Sequence, residues 1–425
     1  RLDNNNVMAI WGRFFISASW HWPIKKWIDQ KFISKFTKLP KMEEGRRLSI
    51  MLSENELLAE KNALLEKIFC TGCGSKAEAQ VLDSMLPDAI DIAAKLGGDR
   101  DYLPNVNTFS DASEYAIKVS LDEDQRLIQT VDTISQMISD PFIYGRISAL
   151  HALSDLVVSN AIPLTALSII NVERAKKNIQ KSDLINMLAG AMIELSKAKI
   201  KLIGGHTSQS VENSLGFALT GVTRTNPDLE SENKTVKVPS KAFSLILTKP
   251  IGVGLILAAN MRNLANEQNY QDCIKLMLQS NLQTAEFLWK NGAIAMTDIT
   301  GFGLARHTEN LTRALENQFG IRVAAQLSLD EIPLLPGTDQ ILKETSIRAT
   351  LNASNKKAIR NLKGIKSLQM PLSDILFDPQ TSGGVLAVVP STKAAKLCNI
   401  LKRDIAPASN VVGTIIFQET GIFIN

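Results

Sequence analysis

Apolar residues recur along this chain with two alternating periods, near 2 and near 3.6, which predicts interleaved strands and helices. Strand-like runs fall at 114–120, 126–132, 163–171, 198–203 and 214–223, with helices near 143–158 and 182–197 between them. A polar stretch then opens at Asn226-Pro227-Asp228 and runs to 237, and reads as a loop. The pattern restarts at Phe243-Ser244-Leu245-Ile246-Leu247-Thr248. It continues through helices near 253–265 and 270–290, a strand ending at Asp298, a helix near 303–316, and strands near 321–328, 384–389 and 411–417. Upstream, Ser53-Glu54-Asn55-Glu56 has the form of a capping box before Leu57, Leu58, Leu64, Leu65 and Ile68, which recur at helical spacing. The expectation is an α+β protein: a linker helix at 49–68, an N-terminal domain at 69–236 and a C-terminal domain at 237–425.

Composition narrows the class. The 425 residues, 45% hydrophobic and 21% charged, are enough for two cored domains. Four cysteines suit a reducing cytoplasm rather than a disulfide-stapled secreted fold. No apolar run reaches the length of a membrane span. The net charge of +4 is concentrated at the start: residues 1–50 carry ten Lys/Arg against four Asp/Glu, so the main body is slightly acidic. It lacks the basic footprint of a nucleic-acid binder. The same segment holds Trp11, Trp20, Trp22 and Trp27 among lysines. Rings and lysines so mixed suit either packing against an upstream domain or a helix lying on a membrane surface across residues 1–40.

Candidate chemistry begins at Cys70-Thr71-Gly72-Cys73-Gly74-Ser75-Lys76. A cation near a thiol lowers its pKa, and the glycines let the backbone approach a ligand. A zinc half-site and a redox CxxC are the alternatives; Cys273 and Cys398 are too isolated to complete a zinc set, and no thioredoxin-like βαβ pattern follows. Asp111, Asp132, Asp155 and Asp298 sit at the ends of apolar runs or in Gly-rich turns. Carboxylates so placed suit Mg²⁺, which takes one or two of them plus substrate phosphates. Gly204-Gly205-His206-Thr207, after the apolar run 198–203, reads as a turn whose N–H groups can meet phosphate oxygens. Taken singly, each aspartate is better read as a helix cap or turn former, and it is their joint arrangement that favours the metal reading. No GxGxxG is present, since Gly252-Val253-Gly254 and Gly301-Phe302-Gly303 both lack the third glycine. His21 and His307 are expected to be bland, His307 as a surface or capping residue.

From about Ile68 to the C-terminus the chain resembles the selenophosphate synthetase (selenide, water dikinase) family. That family shares a superfamily with aminoimidazole ribonucleotide synthetase, thiamine-monophosphate kinase and a hydrogenase-maturation dehydratase. The matching runs are CTGCGSK (70–76), QTVD (129–132), SDPFIYGRISALHALSD (139–155), IPLTALSI (162–169), IGGHTSQ (203–209), LTKPIGVG (247–254), MTDITGFGLARH (296–307) and FDPQTSGGVLAVVP (377–390). The resemblance is greatest to a subgroup fused behind an FAD-dependent NADH-dehydrogenase-like domain. Residues 1–48 resemble the tail of that oxidoreductase, so any FAD would belong to an upstream domain absent from this chain.

The resemblance implies a two-domain, aminoimidazole ribonucleotide synthetase-like fold whose N-terminal sheet pairs with a second copy into a barrel. It implies a cytoplasmic homodimer that converts selenide, ATP and water to selenophosphate, orthophosphate and AMP. By the same resemblance, Asp111, Asp155 and Asp298 would hold Mg²⁺, and Asp132, Gly204, Gly205, His206 and Thr207 would meet the nucleotide, the glycine-rich run from the partner subunit. Cys73 would handle selenium and Lys76 would neutralise the transferring phosphoryl charge. The chain departs from the stand-alone enzymes in places: Ser110 replaces an aspartate beside Asp111, Ser113-Glu114 replaces Ala-Val, His151 stands where they carry Asn, and their Gly-Gly-Thr-x-Arg-Asn run is absent around 344–352. The first departure leaves a second reading, a regulatory ATP-binding module of the fused oxidoreductase.

Overall fold

The computed structural model describes residues 7–11, 14–18, 79–103, 125–223, 242–359, 362–364 and 372–425. The chain divides into two compact units, Arg1–Phe69 and Cys70–Asn425. In the first, β1 (Val7–Trp11) and β2 (Phe14–Ala18) pair antiparallel, with Trp11 opposite Phe14. The surface-helix reading therefore fails over these residues. The linker helix at 49–68, the Cys73 loop, the strand at 114–120 and the loop at 228–237 lie outside the described residues.

The second unit opens with α1 (Ala79–Lys95) and a four-stranded sheet in the order β3-β6-β4-β5. Its strands are β3 (Leu127–Ser135), β4 (Ala161–Glu173), β5 (Lys201–Ser210) and β6 (Ser214–Thr223). β6 runs antiparallel to both β3 and β4, while β5 lies parallel to β4. Two helices, α2 (Pro141–Val158) and α3 (Lys177–Lys197), pack on one face. Asp140 starts α2 by accepting from the N–H groups of Phe142 (2.9 Å) and Ile143 (3.1 Å), and Pro141 supplies a preset φ. Nearly every residue of α2 from Tyr144 onward is buried, the mark of a helix enclosed on all sides. It lies so close to α3 that a Cβ on Gly145 would come 2.0 Å from the Met187 carbonyl oxygen.

On β3 the even-numbered residues face α2 and the odd-numbered ones face away, as strand pleating requires. The outward set includes Leu127 and Val131, which are 48% and 61% exposed.

The C-terminal part is a seven-stranded mixed sheet in the order β10-β13-β9-β12-β7-β11-β8. These strands are β7 (Phe243–Leu247), β8 (Ala295–Asp298), β9 (Val323–Leu327), β10 (Leu362–Lys363), β11 (Val385–Pro390), β12 (Asn410–Phe417) and β13 (Gly421–Ile424). Central β7 is buried throughout, so its apolar run shows no alternation. The helices are α4 (Val253–Asn260), α5 (Glu267–Met277), α6 (Leu282–Lys290), α7 (Gly303–Phe319), α8 (Thr338–Glu344), α9 (Asn352–Ala358) and α10 (Ser391–Asp404). The single helix expected at 270–290 is two, α5 and α6, divided around Asn281. Short β8 is the edge strand nearest the N-terminal part, and α2 packs against both β8 and α6. The α+β architecture read from the pattern is the one observed, and no described helix is long and apolar enough to cross a membrane.

Candidate active site

Three of the four singled-out aspartates converge where α2 meets the C-terminal sheet. Asp132 on β3 receives a 3.0 Å contact from His151 Nε2 on α2. One turn further along α2, Asp155 accepts a 2.6 Å bond from Thr130 Oγ1 of β3. Asp298 ends β8 and is buried, bonded to Ser154 of α2. Burial, then repulsion from Asp155, pushes the Asp298 carboxyl up from 3.8 to about 6. Asp155, from the other half of the unit, thus adds to the cost of ionising Asp298, an arrangement that a cation beside it relieves. Among the described residues no group of three His, Cys, Asp or Glu side chains is placed to hold a metal ion. The third expected carboxylate, Asp111, lies outside them, as do Cys73 and Lys76.

Lys249, in the turn after β7, is buried beside this pair. Its Nζ donates to the carbonyl oxygens of Gln279 (2.7 Å) and Ser382 (2.9 Å). Burial lowers its pKa from 10.5 to about 7, and the charge of Asp298 offsets only part of that. Asn281, the residue that divides α5 from α6, donates from Nδ2 to Ser154 Oγ and to the Gly383 carbonyl, both at 2.8 Å. Its Oδ1 is buried with no partner.

The segment Asp378–Gly384 has two separate tasks. Gln380 Oε1 accepts from Gly252 N and Val253 N, both at 3.1 Å, and Asp378 Oδ2 accepts from Leu255 N at 3.2 Å. These side chains occupy the free N–H groups at the start of α4, so that helix end is closed to phosphate. Burial pushes the Asp378 carboxyl to about 7. Ser382 and Gly383, by contrast, face the carboxylate site.

His307 corrects an expectation: it is buried, not superficial. Its Nε2 accepts from Thr300 N at 3.1 Å, and its Nδ1 lies 3.2 Å from Thr297 Oγ1. Burial, with Arg306 nearby, lowers its pKa to about 4, so the neutral ring braces the turn after Asp298.

The run Gly204–Thr207 also differs from its expected form. It lies within β5 rather than in a turn, opposite Leu167–Ile170 of β4. Because β5 and β3 are opposite edges of a four-stranded sheet, roughly 14 Å separates them. His206 is exposed, and its register with Ile169 puts it on the face away from α2. Within one chain the structure does not bring Gly205, His206 and Thr207 beside Asp132.

Two family models cover most of the second unit. AIR synthase related protein, N-terminal domain, matches residues 111–223, and its C-terminal counterpart matches 244–424. A protein named selenide, water dikinase from Caldanaerobacter subterraneus subsp. tengcongensis is 31% identical over 342 residues, covering 80% of this chain and 91% of that protein. The chain belongs to the selenide, water dikinase family. A further member, from Clostridioides difficile, is 28% identical over 84% of this chain and 96% of its own length.

Solved structures agree on the fold. A thiamine-monophosphate kinase from Stenotrophomonas maltophilia superposes with a TM-score of 0.55 at 16% identity, covering 80% of this chain and 96% of that one. Escherichia coli HypE gives 0.54 at 14% identity, over 82% and 93%. The family's two-domain architecture accounts for a site assembled from both halves of the second unit. Reading the sequence left His151, Ser154, Lys249, Asn281 and Ser382 without a role. All but Asn281 lie in matching runs, at 139–155, 247–254 and 377–390, but nothing in those runs says what each side chain touches.

Proposed function

We propose that this chain makes selenophosphate, taking selenide, ATP and water to selenophosphate, orthophosphate and AMP. The observation that carries the reading is the convergence of Asp132, Asp155 and Asp298, in a chain of this family, from two domains onto one site. Phosphoryl transfer is mostly positioning and charge neutralisation, and carboxylates that repel one another suit a place where cations gather.

Asp155 and Asp298, together with Asp111, would hold Mg²⁺, which would supply positive charge to neutralise the phosphates. Asp132 completes the nucleotide side of the site, with His151 fixing its orientation. Lys76 offsets charge on the phosphoryl group in transit, and the soft thiolate of Cys73 receives the soft chalcogen. Gly205, His206 and Thr207 reach the nucleotide from a second copy of the chain. The outward face of the four-stranded sheet, with Leu127 and Val131 exposed, supports that arrangement, since two such faces bury one another in a symmetric dimer. Sedimentation of an active monomer at micromolar concentration would sink the shared site.

The direct test is phosphorus NMR of the protein with ATP, Mg²⁺ and selenide. Resonances of selenophosphate, orthophosphate and AMP are expected in equal amounts. ADP as the product, or ATP left intact, would overturn the reading.

A further inference from the structure

Ser382 adopts φ +49°, a left-handed conformation that costs a residue with a side chain about 1–2 kcal/mol. It persists because the backbone around it is held from several sides. Its N–H donates to His151 Nδ1 at 3.1 Å, and its carbonyl accepts from Lys249 Nζ at 2.9 Å. The next carbonyl, of Gly383, accepts from Asn281, which also grips Ser154 of α2. Gly384 then accepts from Ile299 N at 2.8 Å, and Val385 pairs with Asp298. A shift of the Ser382 loop is therefore passed to Asp298 within three residues.

His151 joins this clamp to Asp132. A backbone N–H can only donate, so Nδ1 is the acceptor in the Ser382 bond. In the neutral ring the proton then sits on Nε2 and points at Asp132 Oδ2, 3.0 Å away. The ring is buried, whereas the Asp132 side chain is 32% exposed and open to a ligand. The imidazole thus spans from a ligand-accessible carboxylate of the N-terminal domain to the loop that seats Asp298 in the C-terminal one.

We propose that His151 is a positioning residue that serves both halves of the site with one ring, Nε2 holding Asp132 and Nδ1 holding the Ser382 loop, and through it Asp298. The proposal rests on the selenophosphate reading for its kinetic consequences, but its structural half does not.

The two ring nitrogens can be separated by substitution. In His151→Asn the Oδ1 atom occupies the level of Nδ1, so the Ser382 bond is kept and the reach to Asp132 is lost. In His151→Gln the Nε2 atom keeps the bond to Asp132 and the acceptor for Ser382 is lost. Hydrogen exchange of the Ser382–Gly384 amides in the unliganded full chain reads the clamp without any turnover. Steady-state kinetics with ATP, Mg²⁺ and selenide read its consequence. With His151→Gln, exchange at Ser382 should accelerate about tenfold and kcat fall about tenfold, with KM for ATP within about twofold of wild type. With His151→Asn, exchange should stay slow and kcat hold, while KM for ATP rises about tenfold. Two variants with the same exchange and the same kcat-to-KM split would overturn this division between the two nitrogens. Wild type that fails to turn over selenide would instead refute the selenophosphate reading, and the exchange comparison would still decide the clamp.

Discussion

Replacing Asp298 by Asn should make the unliganded protein more stable while removing its response to Mg·ATP. The amide keeps the carboxylate's shape and an oxygen for Ser154, but not the charge that burial and Asp155 oppose. A carboxyl moved from 3.8 to about 6 carries a penalty of about 3 kcal/mol at pH 8. Part of that is shared with Asp155, so a gain of about 1–3 kcal/mol is expected. The sign follows from the raised value. The folded carboxyl binds its proton more tightly than the unfolded one, so the penalty is absent below about pH 4 and complete above about pH 7. The stabilisation by Asn must therefore grow between those limits. For a unit of this size each kcal/mol moves the melting temperature on the order of 1–2 °C, giving about 1–6 °C at pH 8 and none at pH 4. Wild type with Mg·ATP at a hundred times its Kd should rise by about 4 °C, and the variant should not. Thermal scans at the two pH values, with and without Mg·ATP, make the test. An Asn variant that melts lower than wild type at pH 8, or responds fully to Mg·ATP, would refute the reasoning.

Three other outcomes are expected. Cys73→Ser should abolish selenide-dependent AMP formation and leave ATP binding nearly intact, whereas Cys70→Ser should matter little; equal damage from both, in a coupled AMP assay, would favour a CxxC role. Asn281→Ala strips a buried carbonyl of its partner and breaks a link between domains, which should cost about 2–4 kcal/mol in denaturant unfolding; a change under 1 kcal/mol would contradict it. Gly205→Ala would put a Cβ 2.1 Å from Ser168 Oγ and 2.3 Å from its carbonyl oxygen, forcing β5 away from β4 at a cost of about 1–3 kcal/mol. Unchanged melting of that variant would mean the strands give way more easily than backbone contact allows.

Where the chain alternates apolar and polar residues, its sequence foretold the fold well. β6 begins and ends where the pattern put it, at 214 and 223. Other elements escaped for physical reasons. α1 contains Pro87, which argues locally against a helix. The division between α5 and α6 has no Gly or Pro to announce it, because Asn281 is set by what its amide reaches. α10 was legible and overlooked: Ala394, Leu397, Cys398 and Leu401 are its buried face at helical spacing. In the site, Asp298 ends a strand as the apolar pattern suggested, whereas Asp132 lies within β3 and Asp155 on helix α2. His151 could not be singled out, since its partner Ser382 lies 231 residues away. Roles fixed by a contact that distant are invisible to any local pattern.

α2 belongs to two cores at once. Its Tyr144, Ile147 and Leu156 sit in a cluster that runs on without interruption into Leu245, Val253 and Leu386, while Val158 at its end joins the separate cluster of Ile246, Val385 and Leu397. The division between the stretches matched by the two family models, 111–223 and 244–424, is therefore a feature of chain order and not of energy. A C-terminal half made alone would expose the apolar floor on which α2 rests, and an N-terminal half would leave the most enclosed helix uncovered. Heating should melt residues 70–425 in one cooperative step, with neither half surviving the other, so the carboxylates supplied by the two halves are lost together.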